Sequence, residues 1–164
     1  MMFVPSGARN LVVRQRPFVF IFLFVLATGL IPASTSEAGT YSMAKRYMGL
    51  HEVKHTGKLA KAIGVNPRRT PWCGAFVATV AKRAGKGIPG GHLRAASWKR
   101  AGKAVSLKSA RKGDVVVVRT RRGHHVGFYV GRSKGRVQLL GGNQSNMVKI
   151  SNYRIGNVIS VRRL

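Results

Sequence analysis

The apolar pattern of this chain changes period once, near Ser109, and that change limits the folds open to it. Before it, apolar residues recur three and four apart, as on one face of a helix. After it come short runs of Val, Ile, Leu, Phe and Tyr broken by Gly, Asn and Ser, as in strands. Helices first and strands afterwards predict an α+β domain, with N-terminal helices packed on a C-terminal antiparallel sheet. The spacing predicts helices over residues 41–50, 59–63, 71–85 and 93–101, the second closed by Gly64 and the last with Trp98 facing inward. Strands are expected over 115–118, 125–131, 136–140, 147–150 and 155–161, the first of them fully buried.

The third predicted helix carries the only cysteine of 164 residues. In Thr70-Pro71-Trp72-Cys73-Gly74-Ala75-Phe76-Val77, Thr70 can cap the helix and Pro71 suits its first position, where a missing N–H costs nothing. Cys73 then sits among unpaired backbone N–H groups whose partial positive charge favours a thiolate, so its pKa is expected below the ~8.5 of a free thiol. The other reading of a lone Cys is a small apolar residue that fills space.

Arg9, Arg14 and Arg16 precede an uninterrupted apolar run over residues 18–31, followed by small residues ending Ser36-Glu37-Ala38. A basic region, an apolar region short of the ~20 residues a membrane span needs, and a small-x-small site predict a secretory signal peptide over 1–38. That leaves one domain over 39–164, exported to the periplasm or the extracellular space and expected to be a monomer. Export bears on the cysteine, because a lone Cys in an oxidising compartment has no internal disulfide partner and is retained for reactivity. Thirty Lys and Arg against three Asp and Glu give a formal charge of +27, spread along the chain rather than gathered in a tail. Such a surface attracts polyanions: an anionic cell-envelope polymer in the first place, with nonspecific attraction to membrane surfaces or nucleic acid beside it.

His51-Glu52-Val53-Lys54-His55 matches H-E-x-x-H, in which two histidines on one helical face bind zinc and the glutamate activates water. Its surroundings are poor. Gly57 follows closely, Lys54 puts a cation inside the motif, and no Asp or Glu occurs between Glu52 and Asp114 to act as third ligand. Glu52 is expected to pair with neighbouring Lys and Arg instead, and neither a metal nor another cofactor is expected.

A cysteine nucleophile needs a base, and the base an orienting group. His124-His125-Val126-Gly127-Phe128-Tyr129-Val130-Gly131 puts histidines at the start of a strand, and Leu140-Gly141-Gly142-Asn143-Gln144-Ser145-Asn146 puts amides after the next one. If Ser133-Lys134-Gly135 is a three-residue loop, facing residue numbers sum to 268 and His125 lies opposite Asn143. A four-residue loop gives 267, with His124 opposite Asn143, Phe128 opposite Leu139 and Val130 opposite Val137. Geometry alone leaves both open.

These stretches, with Gly113-Asp114-Val115-Val116 and the earlier Met48-Gly49-Leu50-His51-Glu52, resemble in order and content the NlpC and CHAP group of papain-like bacterial cell-wall hydrolases. The resemblance implies a papain-like fold and cleavage of peptidoglycan amide bonds through a thioester, with Cys73 as nucleophile, His125 as base and Asn143 as orienting residue. It favours His125 because the group's histidine directly precedes Val-Gly-Phe. Trp72, Gly74 and Gln144 are the expected substrate or oxyanion contacts, although Gly74 stands where Ala is usual in the group. The rival functions are a non-catalytic cationic envelope-binding protein on the same fold and an H-E-x-x-H zinc metalloprotease.

Overall fold

The computed structural model describes residues 35–164, with side chains from residue 39 on. The segment on which the signal-peptide expectation rests lies, up to residue 34, outside the described residues; the expected junction after Ala38 falls inside the first helix. Among the described residues three α-helices, α1 (Thr35–Lys45), α2 (Thr56–Ile63) and α3 (Cys73–Arg83), precede six strands: β1 (Lys103–Ala104), β2 (Val115–Thr120), β3 (Gly123–Ser133), β4 (Arg136–Gly141), β5 (Lys149–Arg154) and β6 (Val158–Arg163). The strands form one antiparallel sheet in the order β1-β6-β2-β3-β4-β5, as the change of period predicts.

Several elements depart from expectation in detail. The first helix ends at Lys45, and Gly49 sits beyond it with φ 81°, a conformation that suits glycine. Gly64 closes α2 in the left-handed conformation as expected. The segment around Trp98 forms a 3-10 helix over Ala95–Arg100, with the indole fully buried and its N–H donated to the His92 carbonyl.

The sheet carries side chains on both faces. Against the helices lie Val115, Val117, Val126, Phe128 and Leu140, meeting Phe76, Val77 and Val80 of α3. On the other face Val116, Val118, Tyr129, Val137, Leu139 and Val161 form a smaller cluster. Val115 to Val118 are all fully buried, which is why that strand reads as a continuous apolar run instead of an alternation.

The β3–β4 hairpin follows neither expected loop. Ser133 pairs with Arg136 across a two-residue turn in which Lys134 (φ 49°) and Gly135 (φ 69°) are both left-handed. A bulge between Tyr129 and Gly131 then shifts the register, so Tyr129 faces Leu139 and Phe128 faces Leu140, pairs that sum to 268. The 268 register thus holds at the base of the hairpin by a route that turn length alone does not reveal. It does not reach Asn143, because β4 ends at Gly141 and Asn143 turns the chain with φ 59°.

Candidate functional site

α3 begins at Cys73, two residues later than Thr70 and Pro71 suggest, and its N-cap is Trp72, which makes no side-chain capping bond. The reason is packing. Trp72 is fully buried and donates its indole N–H to Glu52 Oε2 at 3.0 Å, which fixes the chain before the helix starts. Trp72 is therefore a core residue, not the expected substrate contact. Gly74 has a packing explanation as well: a Cβ there would lie 2.4 Å from the Leu93 carbonyl oxygen and 2.5 Å from that of His92, so alanine does not fit.

Cys73, His125, Asn143 and Gln144 line one groove of about 540 Å³, together with Pro71, Arg122 and Tyr153 among others. β3 delivers His125 to this groove while leaving its neighbour His124 exposed at the rim, so the two histidines differ by burial. The His125 ring stacks on Tyr153 of β5, with centroids 5.4 Å apart and planes 19° from parallel. Its Nε2 is buried without an aligned hydrogen-bond partner and points past Gly141, where a Cβ would come within 3.1 Å.

The amide beside this ring belongs to Gln144; among the described residues no hydrogen bond joins Asn143 to His125. Gln144 is held from several sides. Its Nε2 donates to the carbonyls of Gly141 (3.1 Å), Leu139 (3.3 Å) and Lys149, and its Oε1 accepts from the Tyr153 hydroxyl at 2.8 Å. Those carbonyls require the NH2 end where it stands and so orient the oxygen. Tyr153 was not legible as a site residue, since nothing in its sequence surroundings marks it.

The electrostatics run against the expected thiolate. Burial pushes the Cys73 thiol up, and the opposing pull of the Val126, Gly74 and Cys73 backbone N–H groups is smaller. Burial pushes the His125 imidazole down to about 4, against the Gln144 amide, which favours the charged ring. At neutral pH the resting pair is thus thiol and neutral imidazole, because both are 8% exposed or less and neither charge is solvated. Tyr153 is also raised, by burial first and by the proximity of Cys73 second, so it remains a hydroxyl donor.

The H-E-x-x-H stretch is a turn rather than a helix. Its imidazoles serve its own backbone: His55 Nδ1 accepts from the His51 N–H (3.0 Å) and His51 Nδ1 from the Val53 N–H (3.1 Å). Glu52 is bound to an indole, not to the cations expected for it. Among the described residues no three His, Cys, Asp or Glu stand close enough to hold a metal ion. Asp114 is 1% exposed and bound by Arg163 through both oxygens.

The family model described as the NlpC/P60 family matches residues 63–160. Among curated proteins none matches the sequence. Of solved structures, the P60 domain of an antigen from M. avium paratuberculosis is 15% identical, covering 79% of this chain and 93% of that one, with a TM-score of 0.54. RipD from Mycobacterium tuberculosis, described as a non-catalytic NlpC/p60 domain protein adapted to peptidoglycan binding, is 17% identical over 80% of this chain and 99% of that one, with a TM-score of 0.51. The peptidoglycan hydrolase RipB of the same organism is 20% identical over 78% of this chain and 64% of that one, with a TM-score of 0.52. At these identities the likeness to the solved structures is one of fold.

Proposed function

The chain belongs to the NlpC/P60 family, and from that premise we propose that it is an exported cysteine hydrolase cutting amide bonds of peptidoglycan, with Cys73 as nucleophile, His125 as base and Gln144 orienting the base. The observation that carries the reading is that a buried, neutral imidazole lines the same open groove as a thiol at the first turn of a helix. His125 takes the thiol proton as sulfur attacks the amide carbonyl, so thiolate forms during the reaction and not before it. The developing oxyanion is met by backbone N–H groups at the start of α3, and the new imidazolium gives its proton to the leaving amine. Water then attacks the thioester, with the imidazole again as base. Gln144, held by Tyr153 and the surrounding carbonyls, stands beside the His125 ring, where it favours the charged imidazole and orients it for proton transfer.

The large excess of Lys and Arg holds the enzyme on anionic envelope polymer, raising local substrate concentration without choosing a bond. The test is mass spectrometry of fragments released from purified peptidoglycan. Wild type should release peptides with new termini and Cys73→Ala none. A second reading, a peptidoglycan-binding protein without turnover as RipD is described, is favoured by the raised thiol. It requires that wild type sediments with peptidoglycan and releases nothing.

A further inference from the structure

Glu52 is one of three acidic residues facing thirty Lys and Arg, yet its carboxylate is spent on a neutral indole. That choice ties together parts of the groove that are distant in the chain. Glu52 Oε2 accepts from Trp72, the residue before the nucleophile, at 3.0 Å. The Glu52 backbone N–H donates to the Asn146 carbonyl at 2.7 Å, in the loop that carries Gln144. Just before it in the chain His51 bridges Met147, and the Gly49 N–H and Leu50 carbonyl pair with Val148. The Trp72 ring in turn lies against Gly142, where a Cβ would meet it at 2.4 Å.

The turn that presents Glu52 is closed by its own histidines and by Thr56, whose hydroxyl donates to the Glu52 carbonyl at 2.6 Å. The residues that mimic a zinc motif therefore build a rigid bracket. We propose that Glu52 is a positioning residue: through Trp72 on one side and Asn146 on the other, it sets the spacing between Cys73 and the Gln144–His125 pair. The proposal rests on Cys73 as nucleophile, and its test is read on the thiol itself, so it does not depend on turnover.

A misplacement on the order of 1 Å costs about 10²-fold in a reaction that needs alignment. The experiment follows Cys73 alkylation by iodoacetamide against pH in Glu52→Gln, Glu52→Ala, Trp72→Phe and the double variant Glu52→Ala, Trp72→Phe, alongside thermal melting and kcat and KM. Glu52→Gln keeps an acceptor oxygen and should match wild type. Glu52→Ala should lose about tenfold or more of the neutral-pH alkylation rate with the alkaline limit unchanged, and kcat should fall with KM little altered. Trp72→Phe removes the donor and should reproduce the loss, and the double variant should add nothing to either single one. An unchanged alkylation profile in Glu52→Ala, a loss as large in Glu52→Gln, or additive losses in the double variant would each overturn the assignment. If turnover is absent while alkylation responds as described, the positioning role stands and the hydrolase reading fails.

Discussion

Cys73 and Gln144 line one groove with His125, and the two walls they stand on are held by different forces. Cys73 stands on a helix whose Phe76, Val77 and Val80 are fully buried between the sheet and the other helices. Gln144 stands in a loop where Asn143, Ser145 and Asn146 all have positive φ, conformations that packing alone does not sustain in non-glycine residues. That loop is fixed by hydrogen bonds: the Gln144 side chain to three carbonyls and Tyr153, the Gln144 N–H to the Met147 carbonyl, and the bracket at 49–52. One wall should therefore respond to volume and the other to donors and acceptors.

The largest expected effect removes the proposed nucleophile. Cys73→Ala should reduce fragment release at least ~10³-fold while changing stability by about 1 kcal/mol, and residual activity abolished by a chelator would point to a metal instead. On the packed wall, Gly74→Ala should destabilise by about 3 kcal/mol, read from the denaturant midpoint, because the clash is with backbone carbonyls that cannot rotate away. A variant as stable as wild type would show that segment 92–93 moves freely.

Between the walls, acid should act through His125. Its folded value of about 4 lies below the unfolded 6.5, so the unfolded chain binds the extra proton first. Stability is then full above about pH 6.5 and falls by about 3 kcal/mol as pH drops towards 4. His125→Gln should remove that dependence. On the hydrogen-bonded wall, Gln144→Ala should cost about 10²-fold in kcat, with weaker amide protection in the loop. The smallest effect belongs to Asn143→Gly, which should relax a left-handed residue, alter stability by less than about 1 kcal/mol and leave the rate unchanged. A large loss there would restore Asn143 as the orienting residue.

The same contrast explains what could be read from the sequence. Apolar periodicity reports packing, so α3, the buried Val115–Val118 run and the order of helices and strands were legible, as was the difference between the two classes of residue around Ser109. Hydrogen-bonded irregularity leaves no periodic trace. The two-residue turn and the bulge near Val130 compensate each other and keep the expected register at Phe128 and Leu140, but β4 ends at Gly141 and Asn143 turns the chain, so the amide beside His125 is that of Gln144, and no count of loop residues predicts this. Thr70-Pro71 reads as a helix start, but the burial of Trp72 overrode that local preference. The expected thiolate failed because a helix terminus was considered without the desolvation that the fold imposes on it.

The sheet order carries a consequence for how the chain matures. β6 is the last strand in sequence, yet it lies inside the sheet between β1 and β2. Until it arrives, β2 leaves the N–H and C=O groups of one edge unpaired beside its valines, and Asp114, held locally by the Arg111 N–H, still lacks Arg163. A ribosome must therefore release nearly the whole domain before the valine-rich edge is covered, so synthesis and sheet closure cannot proceed in step. The interval exposes an aggregation-prone edge, and it holds back closure of the sheet until the end of the domain has been made.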